Sequence, residues 1–279
     1  MVENNVEDVK SMKVILSRKG FDSSNGGIVS PFFENGSMIS FPIPSYDGDT
    51  YDLLYYGGTP YSKILRDLRY KGGNHCHVDP DLDQQRRGSM IEGWFPAFGQ
   101  TGSSAAYLKN NGIEKGDLFL FFGNFHYVEN RNGSFSYVRN RTDFYKGRDL
   151  QVIWGYLQIG DILDTPVQQK SAWWHPHASD AYTASSLNVI YKAAETLSFD
   201  DRLPGAGLLR FDIKRVLTKE GENKATWVKN PVYDVNQICG NRINSAKNPR
   251  SGIYYAGIWQ ELCLKESDAC TEWAKEIIL

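Results

Sequence analysis

The chain has 279 residues, of which 41% are hydrophobic and 13% aromatic, so it can bury a sizeable core and is not largely disordered. Its formal net charge of −2 excludes binding to nucleic acid through overall positive charge, and any such contact needs a local basic face. It has no apolar run as long as a membrane span and no secretion signal, so we expect a cytoplasmic protein without membrane contact. The four cysteines form no C-x-x-C pair and predict neither disulfides nor a zinc site.

The N-terminal half of the chain predicts short strands, a hairpin and two helices. Residues 1–11 predict a flexible tail, and the apolar residues KVIL at 13–16 predict a buried strand. The turn Glu-Asn-Gly at 34–36 lies between the apolar runs IVSPFF and SMISFPI, which is a strong signal for a β-hairpin. The spacing of apolar residues predicts helices over 61–69 and 103–110.

The second half is mainly β in character. Apolar runs predict strands at 117–123 and 151–159, and Gly155 inside the second predicts a bend or the close approach of a ligand. Residues 124–149 between them predict a polar excursion. The remaining predicted elements are a helix over 188–197, strands over 208–212 and 214–219, and a C-terminal helix that begins after the N-cap Ser267.

These elements predict an α+β fold in a single domain, with a mixed β-barrel-like core and peripheral helices. The sequence contains no internal repeat, low-complexity tract or interdomain linker. We therefore expect a flexible tail over 1–11, one domain over 12–264 and a C-terminal helix extension over 265–279.

A glycine-rich loop directly after the first predicted strand has the composition of a binding site. Its sequence from Arg18 to Gly27, RKGFDSSNGG, exposes backbone amides that can hold a phosphate, and Arg18 and Lys19 add positive charge. Asp22 places a carboxylate beside these cations, which keep it ionised as a base or a nucleophile must be. The same residues suit a tight turn with a capping Asp, and the sequence leaves both interpretations open.

Four of the five histidines fall in two short segments, HCHVDPD at 75–81 and HPH at 175–177. Alternation along an extended chain puts His75, His77 and Asp79 on one face, and the second segment can join them. Such a set can ligate a metal suited to hydrolysis, or it can line a polar pocket. Neither segment has established metalloenzyme spacing, and the proline after Asp79 indicates a turn. We therefore expect the pocket without a bound metal or cofactor.

The excursion over 124–149 interleaves basic and aromatic residues. This pattern suits neutralisation of a nucleic-acid backbone combined with stacking on bases, and it suits a solvated hairpin equally well. If it contacts nucleic acid, it supplies the local basic face that the overall charge requires. The predicted DNA-contacting residues are Arg131, Arg139, Arg141, Lys146 and Arg148.

Several stretches are long enough to make chance similarity improbable: SRKGFDSSNGGIVSPFF, HVDPDL, FGQTGSSAAYLKNNGIEKGDLFLFFGNF, GYLQIGDIL, HPH, NVIYKAAETL and PGAGLLRF. Together they resemble the third nucleotide-modification-associated domain family, from about Lys13 to Leu264. That family is associated with phage and bacterial systems that handle hypermodified DNA bases, so the resemblance implies DNA carrying modified bases as a partner. IEKGDLFLFFG and VIWGYLQIGDIL also resemble, more weakly, the central strands of PUA-like barrels, which include ASCH and EVE domains.

The resemblance implies a DNA glycosylase that flips out and excises a modified base, such as a glucosylated hydroxymethyl base, in defence against phages with modified genomes. Asp22 is the predicted catalytic carboxylate, Asp79 a second one that orients water, and Lys19 an alternative amine nucleophile. The predicted substrate-binding residues are Arg18, Ser23, Ser24, Asn25, His75, His77, Gln100, Gln158, His175, His177 and Trp227.

Three other functions fit the same residues. A non-catalytic reader would bind modified bases in the same pocket without breaking a bond. A metal-dependent nuclease would use the histidine clusters and would be inhibited by chelators. An enzyme that installs the modification would need a nucleotide-donor site, and the sequence contains no motif for one.

Overall fold

The computed structural model describes residues 12–140, 142–185, 187–240, 242–243, 253–255 and 257–279. The predicted flexible tail and the predicted DNA contact Arg141 lie outside these residues. The described strands are β1 Val14–Arg18, β2 Ser30–Phe32, β3 Ile43–Thr50, β4 Tyr55–Tyr56, β5 Thr59–Pro60, β6 His75–His77, β7 Ala97–Thr101, β8 Leu118–Arg131, β9 Ser134–Tyr137, β10 Leu150–Leu163, β11 Asn188–Ala193, β12 Thr196–Leu197, β13 Asp200–Pro204, β14 Ala206–Leu208, β15 Thr226–Trp227, β16 Ile253–Tyr254 and β17 Glu261–Cys263.

The α-helices of the described part are mostly short. The predicted helices over 61–69 and 103–110 are confirmed, and so is the C-terminal helix, where Ser267 Oγ caps the N–H of Cys270 at 3.1 Å. No described helix combines the length and the apolar character needed to cross a membrane. The helices are α1 Tyr61–Asp67, α2 Gly102–Asn110, α3 Phe144–Gly147, α4 Pro166–Gln169, α5 Asp180–Thr183 and α6 Asp268–Ile278.

One mixed sheet organises the molecule, with strands in the order β17-β1-β8-β10-β11-β7. β1 pairs parallel with β8, and the other neighbours along this path are antiparallel. β2 and β9 also pair with β8, and β14 pairs with β10. The sheet curls into half a barrel with few helices around it, which confirms the predicted α+β single domain with a barrel-like core. A PUA-like topology is not confirmed.

The hydrophobic core is centred on β8 and β10, which are covered on both faces. The run LFLFF at 118–122 is fully buried, as expected for a strand with no solvent-facing side. Helix α6 packs on the same core through Cys270, Ala274 and Ile277. The predicted boundaries at 11–12 and 264–265 stay predictions.

β10 bends at the glycine singled out in the sequence. The register against β8 shifts between Ile153 and Gly155. A Cβ at Gly155 would lie 2.9 Å from Leu82 Cδ1 and 3.2 Å from Gly207 O, so neighbouring chain segments approach closely there. The register shift agrees with the predicted bend, while the predicted approach of a ligand stays a prediction.

The predicted helix over 188–197 is wrong. Residues 188–193 form β11, which is hydrogen-bonded between β10 and β7, and a second short strand follows. The side chains of Val189, Ile190 and Tyr191 are buried there. Strand pairing and the preference of β-branched and aromatic residues for sheets outweigh the helical spacing of NVIYKAAETL.

The excursion over 124–149 is more regular than predicted. β8 continues into it as far as Arg131, and β9 returns after a turn at Asn132 and Gly133. Their φ angles are +53° and +83°, and positive values at both positions are typical of a type I′ hairpin turn. The Asn-Gly pair that signals a hairpin turn is therefore present here as well as at residues 35–36.

The predicted hairpin at 34–36 is confirmed only at its turn. Phe33 N–H donates to Ser37 O over 3.0 Å, but the second arm forms a single bridge, from Met38 to Phe32, and no strand. The predicted strands in 208–219 are wrong in their bounds, because β14 ends at Leu208 and a 3-10 helix occupies Ile213–Arg215.

Candidate active site

Asp79 is the centre of a cluster of imidazole groups. Its Oδ1 accepts a hydrogen bond from Gly99 N–H at 2.7 Å and lies 3.2 Å from His175 Nε2. Its Oδ2 lies 3.8 Å from His177 Nε2 and 3.9 Å from His77 Nε2. The two predicted histidine segments, about a hundred residues apart in the chain, therefore meet at one carboxylate.

Three segments of the fold bring these side chains together. Strand β6 pairs with β3 and carries His77 at its end, and Asp79 follows directly. Strand β7 passes beside this turn and supplies the Gly99 N–H. His175 caps a short 3-10 helix, Pro176–Ala178, and His177 lies within it; this helix packs against β7 and β11.

Hydrogen bonds fix the ring orientation of His177. Its Nδ1 lies 2.7 Å from Asn188 Oδ1, while the Asn188 amide donates to Gln169 Oε1 at 3.0 Å and to His177 O at 2.8 Å. These two acceptors place the amide nitrogen of Asn188 away from the ring, so its oxygen faces Nδ1 and requires a proton there. The unprotonated Nε2 of a neutral His177 consequently faces Asp79.

His175 has the opposite tautomer. Its Nδ1 accepts a hydrogen bond from His177 N–H at 3.2 Å, so the proton of the neutral ring lies on Nε2, towards Asp79. This Nε2 is buried. Although it lies 3.2 Å from Asp79 Oδ1, it makes no hydrogen bond of acceptable geometry with any group of the described residues. His77 Nδ1 lies 3.5 Å from the hydroxyl of Tyr182, and the His177 and Tyr182 rings are 4.3 Å apart.

The close packing of the cluster requires a glycine on β7. A Cβ at Gly99 would lie 2.3 Å from Cδ2 and Cγ of His177 and 2.9 Å from Cε1 of His175. Since real side chains do not approach so closely, only glycine lets β7 run beside both rings and still donate to Asp79.

Burial and charge set the protonation states in the cluster. Burial alone raises the pKa of Asp79, but the imidazoles of His175 and His177 and the charge of Lys19 outweigh it and hold that pKa below its usual range. Burial lowers the pKa of His177 to about 4 and also lowers the pKa of His77, in both cases against the opposing effect of Asp79. The arrangement at neutral pH is one charged carboxylate beside two neutral imidazoles.

The cluster opens through His77 into a cleft of about 810 Å³. Tyr46 and Trp173 are exposed there, so their ring faces are available for stacking. Asp47 and Asp49 also line the cleft, as does Arg87. The aromatic side chains in its wall are Tyr46, Trp173, Trp174 and Tyr182.

The carboxylate of Asp22 is engaged within its own loop. Oδ1 accepts from the backbone N–H of Ser24 at 2.8 Å and of Asn25 at 2.7 Å, and Oδ2 accepts from Arg18 Nη1 at 2.7 Å. This is the geometry of the tight turn with a capping Asp that the sequence left open. The catalytic role of Asp22 stays a prediction, as do the binding roles of Arg18, Ser23, Ser24 and Asn25.

Lys19 takes part in a buried polar group of its own. Its Nζ lies 3.2 Å from Glu261 Oε1 and 4.4 Å from the centre of the Phe98 ring. Glu261 is fully buried, and the same oxygen accepts from Ser17 Oγ at 3.1 Å and from Gln100 Nε2 at 2.6 Å. The predicted residues Lys19 and Gln100 thus meet at a second carboxylate, next to the Asp79 cluster.

Three other predicted substrate-binding residues lie apart from the cluster. Trp227 is fully buried in the main core, where its indole N–H donates to Gln151 Oε1 at 2.5 Å. Gln158 is buried and joins loops by hydrogen bonds, among them 2.9 Å to Gly116 O. His75 is exposed, and its Nδ1 lies 3.2 Å from Gly48 O.

The predicted DNA contacts divide between two environments. Arg131 pairs with Glu129 at 2.6 Å and Lys146 with Glu34 at 2.8 Å. Arg139 and Arg148 instead line an open cleft of about 910 Å³ together with Lys224, Asp149 and Glu222. We call it the basic cleft because lysine and arginine side chains outnumber carboxylates, although Lys224 lies 3.6 Å from Asp149. A smaller cavity beside it is lined by Ser23, Gly27 and Arg139, so the glycine-rich loop and the basic excursion are neighbours.

Several groups in the site were missed by the sequence analysis. A glycine inside a strand marks close backbone approach, and that signal could have identified Gly99. Asn188 was hidden by the wrong helix prediction. Glu261 is separated from Lys19 by 242 positions, and no local pattern connects the two.

A comparison with models of protein families identifies the family of the chain. The family model described as nucleotide modification associated domain 3 matches residues 13–261, most of the chain. No curated protein and no solved structure matches the chain. The match confirms the resemblance found in the sequence and gives the chain a role in nucleotide modification systems. This protein belongs to the nucleotide modification associated domain 3 family.

Proposed function

We propose that this protein is a hydrolase that removes a modified base from DNA, with the Asp79 cluster as its active centre. The observation that carries the proposal is the opening of this cluster, through His77, into a cleft walled by aromatic rings. An enzyme that acts on one base must hold that base outside the stack, in a pocket with ring faces and polar groups.

The charges around the cleft support a base or sugar as its occupant rather than phosphate. Asp47 and Asp49 contribute negative charge to the wall. Arg87 is already engaged, with Asp49 at 2.9 Å and Asp81 at 2.8 Å. A phosphodiester at this position would meet carboxylates and no unpaired cation among the described lining residues, which disfavours strand cleavage.

The reaction breaks the bond between sugar C1′ and the base nitrogen. A water molecule adds its oxygen to C1′, one water proton passes to a protein acceptor, and the departing base gains a proton at the released nitrogen. The carbon passes through an oxocarbenium-like state that a nearby carboxylate stabilises. Asp79 supplies the charge, and the imidazole of His77 lies between it and the cleft. Phage defence, the role implied by the family resemblance, would follow from such base release.

Base release from defined duplexes tests the proposal. DNA with single hydroxymethylated or glucosylated bases is incubated with the protein, free base is measured by mass spectrometry, and abasic sites are measured by alkaline cleavage. Asp79→Asn should lower release by at least about 100-fold. Asp212→Asn, an exposed capping carboxylate elsewhere, is the matched control. Circular dichroism checks that each variant is folded.

Asp22→Asn separates the two predicted carboxylates. Asn can cap the same loop, so retained release in this variant together with loss in Asp79→Asn supports the Asp79 cluster, and the reverse result assigns catalysis to Asp22. A covalent adduct trapped by borohydride would show attack by Lys19 instead. Tight, modification-selective binding without any base release would overturn the proposal in favour of a reader.

A further inference from the structure

We infer that His77, Asp79 and His177 form a binding site for one divalent transition-metal ion. Each side chain directs one ligand atom into the same small volume, and the three atoms all lie within 4.8 Å of one another. The atoms are the Nε2 of each histidine and the Oδ2 of Asp79. The imidazole of His177 is buried and that of His77 is mostly buried, so water competes little for the position.

The surroundings leave lone pairs facing the centre of this site. Asn188 holds the proton of His177 on Nδ1, and Nε2 is consequently free to ligate. The hydroxyl of Tyr182 lies 3.5 Å from Nδ1 of His77, and when it accepts a proton from that nitrogen, Nε2 of His77 is free to ligate as well. Metal-binding histidines usually have such a partner on the second ring nitrogen, which fixes both the tautomer and the ring orientation.

The two oxygens of Asp79 have different roles. Oδ1 is occupied by Gly99 N–H and faces His175, whereas Oδ2 lies 3.8 and 3.9 Å from the two ligating imidazoles, beyond hydrogen-bond distance. His175 carries its proton on Nε2, towards the carboxylate, and cannot ligate from that atom, so it acts as a positioning residue. Oδ2 is therefore the oxygen of Asp79 that is directed towards the ligating nitrogens.

The spacing of the ligand atoms matches a transition metal. Metal–ligand bonds of roughly 2.0–2.2 Å place neighbouring ligand atoms roughly 3.0–3.5 Å apart. The 3.8 and 3.9 Å to Asp79 therefore require a contraction of less than about 1 Å when an ion binds, and the two imidazole nitrogens, within 4.8 Å of each other, close by at most about 2 Å. Two imidazoles and one carboxylate suit iron, manganese, cobalt or zinc, and such a triad leaves coordination positions open for water or substrate.

These open positions point to a use for the ion. His77 lines the aromatic cleft, so the metal site adjoins the space in which a nucleotide would bind. Metal binding lowers the pKa of water and makes it nucleophilic near neutral pH. This part of the inference rests on the proposed function, whereas the binding of the ion does not. A metal ion at this position differs from the sequence analysis, which predicted a pocket without a bound metal.

Titration of the metal-stripped full chain with Co²⁺, Zn²⁺ and Mn²⁺ tests the site directly. We expect one equivalent of Co²⁺ to bind, with visible absorption bands from ligand nitrogen and oxygen, and a rise in the melting temperature. His77→Gln and His177→Gln should abolish both, while His75→Gln, exposed in the same segment, should leave metal binding unchanged. Asn188→Ala should weaken binding by roughly 10- to 100-fold.

The outcomes are separable from those of the base-release assay. Equal Co²⁺ binding by the His77, His177 and His75 variants, or no stoichiometric binding by the folded wild type, overturns the metal site. Stoichiometric binding without base release supports the metal site and contradicts the proposed function. Base release by a metal-stripped protein that binds no Co²⁺ supports the proposed function and contradicts the metal site. His77→Gln is the safer variant for folding, since this side chain is less buried than His177.

Discussion

Replacement of Gly99 by Ala is the sharpest test of how the cluster is packed. The added methyl group would lie 2.3 Å from two atoms of the His177 ring, whereas ordinary contact begins near 3.4 Å. The ring would have to retreat by about 1 Å, and His175, with its Cε1 at 2.9 Å, blocks part of the space. The backbone of Gly99 has no positive φ, so the cost is steric and not conformational.

The expected magnitudes follow from this displacement. Overpacking of a buried position lowers the free energy of unfolding by about 1–3 kcal/mol. A shift of about 1 Å in a catalytic group lowers the rate by about 100-fold, so base release should fall much more than stability alone explains. Co²⁺ binding should weaken as well, because Nε2 of His177 moves with its ring.

Urea unfolding, base release and Co²⁺ titration on Gly99→Ala measure these three effects. Gly73→Ala is the matched control, because a Cβ there meets nothing within 4 Å and the backbone again has no positive φ. The control should be neutral or more stable by about 0.4–1 kcal/mol. A Gly99→Ala protein that equals the control in stability, activity and metal binding would refute the described contact between β7 and the rings.

Three further predictions concern other parts of the molecule. Burial raises the pKa of Asp149, but its bond to His126 and the nearby positive charge lower it below the usual value. Its contribution to stability is therefore present above about pH 4 and lost as the pH falls through the folded pKa, so wild type and Asp149→Asn should converge in urea unfolding at low pH. Arg215→Met, which removes donors from two carbonyls at the end of α6, should cost about 1–3 kcal/mol by the same assay. Joint replacement of Arg139 and Arg148 by Ala should weaken binding to DNA and reduce the salt dependence of log K by about 1–2, measured by fluorescence anisotropy.

The sequence analysis correctly predicted those elements whose conformation depends on residues close by in the chain. Helix α6 was predicted because Ser267 caps it and its apolar residues recur on one face, and both features are local. The strands β8 and β10 were predicted for the same reason, from continuous apolar runs. The prediction for residues 188–197 failed because their conformation depends on pairing with strands that begin 38 residues or more earlier in the chain.

The candidate site was predicted in composition but not in arrangement. The histidine segments stood out because four of the five histidines lie in them, and the structure brings three of those side chains to Asp79. The spacing gave no information on tautomers, since Asn188 acts on His177 through a strand that was mistaken for a helix. Gln158 and Trp227 are buried away from the cluster, where polar and aromatic side chains also serve structural roles, and their binding roles stay predictions.

A net charge of −2 is compatible with the proposed action on DNA, because that action would use two separate surfaces. The cleft beside the Asp79 cluster contains carboxylates and aromatic rings and suits a neutral, flat group. Cations collect instead in the basic cleft, where they can meet a phosphate backbone. The loop from Lys19 to Gly27 extends from the Asp79 cluster towards the basic cleft, since Gly20 lines a small cavity with Asp79 while Gly27 lines another with Arg139. A strand held by its phosphates at one end of this loop could therefore present an extruded base at the other, and the overall charge of the protein need not be positive for that.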